Sequence, residues 1–133
     1  MKDFHLEIAI PEGIVFDSSA RSVSVKTKEG RVGILADHAD YFAVLDIGQI
    51  VITTAEGERK AACSGGFISV SGGEVRIAAM SFEYAEQIDI ERAKRAKERA
   101  ERAIAERKDR AAIDAAAARL ARAVTRLGVA TKK

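Results

Sequence analysis

Four arginines dominate the chemistry available to this chain. Arg92 and Arg99 stand seven residues apart and Arg122 and Arg126 four apart, in a stretch from Gln87 to Leu127 that contains neither glycine nor proline. A guanidinium is a planar fork of N–H donors that matches carboxylate and phosphate oxygens in charge and shape. Spacings of four and seven put each pair on one face of a helix. Asp89 lies just ahead of the first pair, where a short acid suits the start of a helix, and Glu83 lies six residues further back. These residue types allow three readings: a solvated basic face, a site for a polyphosphate, or a basic arm for nucleic acid. The third fits worst. Glu91, Glu98, Glu101 and Glu106 interrupt the positive face, and the helices hold no aromatic ring on which bases would stack. Composition does not choose between the first two.

The arginines need elements to hold them. On a helical wheel with Asp89 at the origin, Ala93, Ala96, Ala100 and Ala103 form a narrow stripe that Ile104 extends. A second stripe runs from Ile113 through Ala116, Leu120, Ala123, Val124 and Leu127, bordered by Arg119, Arg122 and Arg126. A short connection near Lys108-Asp109-Arg110 predicts two antiparallel helices, which sets Arg92 and Arg99 beside Arg122 and Arg126. An alanine seam lets helices approach closely but buries only about 0.8 kcal/mol of apolar surface per methyl-sized group.

Residues 1–86 have another texture. They hold nine of the ten glycines and the only proline, so turns must be frequent there. Phe4, Leu6, Ile8 and Ile10 alternate with His5, Glu7 and Ala9, the period of a half-buried strand. Val23 and Val25 alternate with polar neighbours, and further apolar runs occur at 32–35, 41–45, 47–53, 67–70 and 75–79. Turns fall at Pro11-Glu12-Gly13, Lys28-Glu29-Gly30, Glu56-Gly57-Glu58 and Gly72-Gly73. The expected fold is α+β: an N-terminal antiparallel β-sandwich over 1–86, then a C-terminal two-helix antiparallel hairpin over 87–133. Ser64-Gly65-Gly66-Phe67 precedes a strand rather than a helix, so its glycines point to a bulge or close backbone approach and not to a phosphate loop. His5, His38 and Cys63 lack metal-ligand spacing, and no nucleophile–base set is present.

Residues 1–86 carry 8 Lys/Arg and 13 Asp/Glu, whereas 87–133 carry 14 and 7. An acidic body with a basic helical arm implies that the arm meets something negative. A single cysteine favours a reducing cytosolic setting over secretion. The first residues lack the apolar run of a signal peptide, and no segment reaches the roughly 20 apolar residues of a membrane span.

Pro11-x-Gly13, Glu29-Gly30-x-x-Gly33-Ile34-Leu35 with His38, Ser64-Gly65-Gly66-Phe67, Ile88-Asp89-x-x-Arg92-Ala93 and the Ala/Arg helices ending in Arg126-Leu127 occur in an order and spacing that resembles the epsilon subunits of bacterial F-type ATP synthases. The resemblance covers essentially the whole chain. It implies a non-catalytic rotor subunit, peripheral at the cytoplasmic face of the cell membrane, contributing to proton-driven ATP synthesis. The sandwich would bind the central-stalk gamma subunit and the membrane c-ring, with Glu29, Arg31 and His38 toward the ring. The hairpin would bind ATP when folded, as a regulatory ligand and not an obligatory cofactor. When extended it would reach the catalytic alpha and beta subunits and inhibit hydrolysis. Carried over by motif, the adenosine end would meet Ile88, Asp89 and Ala93, with Glu83 nearby, and Arg92, Arg99, Arg122 and Arg126 would hold the phosphates. Nucleic acid is not an expected partner. The chain departs from the pattern at Arg31, where members often carry an acid, at Asp37 in place of a frequent glycine, and at Ala39-Asp40.

Overall fold

A computed structural model describes residues 2–131. Met1 and, from the 87–133 segment, Lys132 and Lys133 lie outside the described residues. Ten strands come first: β1 (Phe4–Ile10), β2 (Gly13–Ala20), β3 (Ser22–Thr27), β4 (Gly30–Leu35), β5 (Tyr41–Leu45), β6 (Gly48–Thr54), β7 (Gly57–Cys63), β8 (Gly66–Ser71), β9 (Glu74–Ala79) and β10 (Phe82–Tyr84). A 3-10 turn over Ala85–Gln87 leads to α1 (Ile90–Glu106) and α2 (Arg110–Thr131).

The strands hydrogen-bond in the order β10-β7-β6-β3-β5-β8-β9-β1-β2, with β4 on β3. The bend that makes two layers lies at β3. Ser22 to Ser24 pair with β6, whereas Thr27 pairs with Leu45 of β5. Tyr84 Oη, on β10 at one end of that order, donates to Val15 O on β2 at the other end at 3.2 Å, so the two ends of the sheet meet. Pairing is antiparallel except between β1 and β9, where Leu6 lies opposite Val75 in a parallel register. Alternation along each strand turns Leu6, Ile8, Val23, Val25, Ile52, Ile68 and Ile77 inward as one buried core. Each such side chain contributes about 1.5–3 kcal/mol when fully buried.

Three glycines make the geometry possible. Gly66 sits at φ +133°, and a Cβ there would fall 1.9 Å from Ala78 O on the neighbouring strand. This is the close backbone approach expected of Ser64-Gly65-Gly66-Phe67, and no side chain could occupy it. Gly72 and Gly73, at φ +57° and +81°, close the β8–β9 hairpin.

The helices pack on alanine. Ala93 and Ala100 of α1 and Ala116 and Ala123 of α2 are all buried in one seam. Arg107 ends α1 in the left-handed region at φ 49°, and Asp109 starts α2 by accepting Ala112 N–H at 2.7 Å. The turn is therefore 107–109, and α2 begins earlier and ends later than the apolar stripe indicated. Val124 was expected in that stripe but is 49% exposed. The contact that docks the hairpin lies further on, where Val129 and Ala130 pack with Ile88 against Ala62 of β7.

Candidate anion-binding site

Asp89 fixes the start of α1. Its backbone is extended and its Oδ1 accepts Arg92 N–H at 3.0 Å, so Arg92 lies in the first helical turn. Two turns later Arg99 projects from the same face. On α2 the spacing of three and four residues lines up Arg119, Arg122 and Arg126. The antiparallel seam brings the two rows together: Arg92, Arg99, Arg119, Arg122 and Arg126 surround a cavity of about 230 Å³ floored by Ala96 and Ala123.

Glu83 on β10 ties this cluster to the sandwich. Its Oε1 accepts Arg126 Nε–H at 2.8 Å, and both side chains are about two-thirds buried. Among the described residues, Arg126 is the one member of the five in an ion pair. Like charges at this density are stable only because each guanidinium keeps some solvent, and an anion of several charges would relieve the repulsion.

Two further cavities border Arg126. One, of about 140 Å³, lies between Glu83, Gln87, Ile88, Asp89 and Arg92. Ile88 gives it an apolar wall beside two carboxylates. The other, of about 300 Å³, lies between α2 and the sandwich edge, lined by Ser64, Ser81, Glu83, Arg122, Thr125 and Cys63. Ser81 Oγ donates to Ser64 Oγ there at 2.6 Å. Burial pushes the Cys63 thiol up, partly countered by the N–H that Gly65 donates to its sulfur, so the sulfur stays protonated and unreactive at neutral pH.

Seven of the eight residues expected at the hairpin site thus line these three cavities, which share Arg126. Ala93 does not, because the helix seam covers its side chain. Arg119, Gln87, Ser64, Ser81 and Thr125 are lining residues that the sequence reading left out of the site. Arg119 had a usable signal, since it lies one turn before Arg122 on the same face. Gln87 had none: its Oε1 accepts Tyr84 N–H at 2.9 Å, a contact visible only once β10 is placed.

Glu29, Arg31 and His38 are not gathered in this way. Glu29 lies in the tight β3–β4 turn, where Thr27 Oγ1 accepts its N–H at 3.1 Å, and Arg31 donates to Ser24 Oγ at 2.9 and 3.1 Å. His38 lies beyond the other end of β4, bonded to Ala39 O. Glu29 itself lines a cavity of about 420 Å³ together with Lys28, Tyr41, Phe42 and Val44. Next to it Phe42 and Phe67 stack with centroids 5.8 Å apart, 64% and 50% exposed. No helix among the described residues is long and apolar enough to cross a membrane.

Fold and site together define a two-part protein, a β-sandwich carrying an arginine-lined helical hairpin. The same division appears in two family models. Residues 3–85 match the ATP synthase delta/epsilon chain beta-sandwich domain, and residues 86–131 match the delta/epsilon chain long alpha-helix domain. The chain is 40% identical over 134 residues to the ATP synthase epsilon chain of Shouchella clausii (strain KSM-K16), covering 100% of this chain and 98% of that protein. It therefore belongs to the ATP synthase delta/epsilon family, as an epsilon subunit of the F type. A chain in the Euglena gracilis mitochondrial ATP synthase structure of OSCP, F1 and c-ring in rotational state 1 superposes with a TM-score of 0.83 at 25% identity, covering 92% of this chain and 78% of that one. A chain of the Tetrahymena thermophila mitochondrial ATP synthase central stalk and c-ring shares the fold, with a TM-score of 0.63 at 15% identity over 98% of both.

Proposed function

We propose that this chain is a regulatory subunit of the ATP synthase central stalk whose folded hairpin binds ATP. The observation that carries the reading is the convergence of arginines from both helices on one cavity, with a single carboxylate paired among them. The adenosine end enters beside Ile88, Asp89 and Glu83, near the Ala93 backbone. The phosphates lie between Arg92, Arg99, Arg122 and Arg126. Bound there, ATP bridges α1 and α2 and holds the hairpin shut. A ligand at a hundredfold excess over its Kd adds about 2.7 kcal/mol to the state that binds it, which is enough to invert a closely balanced equilibrium. With ATP gone the basic arm extends toward the catalytic alpha and beta subunits and inhibits hydrolysis. The chain itself turns over no ATP.

The sandwich supplies the attachment. The exposed Phe42, Val44 and Phe67 form an apolar face suited to the gamma subunit. The polar turns around Glu29, Arg31 and His38 meet the c-ring, which places the subunit peripherally at the cytoplasmic face of the membrane. Calorimetric titration of the isolated chain with ATP tests the ligand. We expect saturable binding that Arg92→Ala and Arg126→Ala each weaken by about 1–3 kcal/mol. Unchanged affinity in both variants would place the nucleotide elsewhere, and failure to capture a gamma subunit would make the chain a free-standing nucleotide-binding module.

A further inference from the structure

We infer that Arg119 is a fifth phosphate ligand and that it holds the outermost phosphate, which makes it the residue that sets preference for phosphate-chain length. The inference rests on the reading of the hairpin as an ATP site. Its basis is the polarity of the arginine rows. Arg92 and Arg126 border both the arginine cavity and the pocket at Ile88 and Asp89. Arg122 is shared with the cavity at Ser64 and Ser81. Arg99 and Arg119 line the arginine cavity alone. The two rows therefore run from a nucleoside end, marked by Ile88, to a far end, marked by Arg99 and Arg119.

Both rows have the same length. Seven residues separate Arg92 from Arg99 and Arg119 from Arg126, which is about 10.5 Å along each helix axis at 1.5 Å per residue. Ala93 and Ala100 of α1 and Ala116 and Ala123 of α2 are all buried, and the antiparallel course of the helices sets the start of one row beside the end of the other. A phosphate chain anchored between Arg92 and Arg126 thus extends toward Arg99 and Arg119, and only a chain of sufficient length reaches them. The Arg119 side chain is exposed, belongs to no ion pair among the described residues, and is open to a ligand from solvent.

Shortening the chain should then matter in a residue-specific way. A diphosphate engages the near end and leaves Arg119 idle, whereas a triphosphate engages it. The test uses the full chain with Arg119→Gln, an exposed substitution that keeps helix propensity and removes the charge. ATP, ADP and inorganic tripolyphosphate are titrated by calorimetry against the parent, Arg119→Gln and Arg102→Gln. Arg102 is an exposed α1 residue outside the cavity and controls for net charge. We expect Arg119→Gln to weaken ATP and tripolyphosphate about tenfold, as for a lost charge-assisted hydrogen bond, and ADP by less than about twofold. Arg102→Gln should leave the ATP-to-ADP preference unchanged. Equal weakening of ATP and ADP, or the same change in both variants, would reduce Arg119 to background charge and overturn the inference while leaving the ATP site standing. A parent chain that binds neither ATP nor tripolyphosphate would overturn both.

Discussion

The sandwich and the hairpin solve the same problem, burying apolar surface between two layers, with different side chains. The sandwich uses Ile8, Val23, Ile52, Ile68 and Ile77, each at most 2% exposed. The hairpin uses Ala93, Ala100, Ala116 and Ala123, equally buried but with one methyl apiece. Equal burial does not mean equal energy: the area removed from water per residue is several times smaller in the seam. Per residue, the seam therefore contributes less to holding its two layers together than the core of the sandwich does. The charge follows the same division, since the arginines that would repel one another border the weak seam and not the strong core.

Substitutions can test that contrast. Ile52→Ala should destabilise the sandwich by about 2–5 kcal/mol, read as a lower midpoint in denaturant of a transition that stays cooperative. Ala123→Leu should act on the hairpin instead. A side chain forced into a closed seam costs about 1–3 kcal/mol, and the helices should separate while the sandwich melts as before. Spin labels at the exposed positions 98 and 117, in a Cys63→Ala background, would report the separation. If Ala123→Leu lowered the sandwich transition as much as Ile52→Ala, the two halves would be a single cooperative unit.

A smaller effect of opposite sign is expected at the turn. Arg107 holds a left-handed conformation at φ 49° that costs a residue with a Cβ about 1–2 kcal/mol. Arg107→Gly should remove most of that strain and narrow the 98–117 distance distribution without any ligand. A distribution unchanged or broadened by glycine would show that the turn does not limit closure.

The smallest effect belongs to the sandwich surface. His5 lies 2.5 Å from Asp17 and 2.6 Å from Glu74, and hydrogen bonds to Asp17 first and Glu74 second raise its pKa above the usual 6.5. A raised value in the folded state means that the stabilisation is complete below pH 6.5 and is lost as pH rises through the folded pKa. Stability should therefore fall modestly from mildly acidic to mildly alkaline pH, and His5→Asn should flatten that slope. An unchanged slope in His5→Asn would assign it to other groups.

What was legible in the sequence follows from which signals are local. Phe4, Leu6 and Ile8 announce a strand because alternation is written in neighbouring residues, and the arginine rows are visible because helical spacing is fixed. β2 was missed because most of Gly13–Ala20 is exposed and shows no alternation. β7 was missed because its buried end is Ala61, Ala62 and Cys63, residues too small to mark a strand. The parallel β1–β9 pairing was out of reach, since alternation fixes a strand's face and not its neighbour. Val124 was misplaced because a wheel shows a stripe but not where the partner helix leaves it. Docking depends instead on Val129 and Ala130, which lie past Gly128 and beyond the end of the apolar stripe at Leu127.

The junction between the two halves also has a mechanical side. The tail leaves the sandwich directly from β10, which holds β7 over three residues, from Phe82 to Tyr84. A short ladder would peel easily if the arm were pulled. Tyr84 carries the reinforcement. Its hydroxyl bonds Val15 O across the closing edge, the guanidinium of Arg59 stacks 3.5 Å from its ring centroid, and Arg59 in turn grips Glu86 one step along the tail. A pull on the tail therefore reaches β2 and β7 as well as β10, spreading tension over three strands before it can reach the core. The point where the tail leaves the sandwich is thus secured independently of the alanine seam.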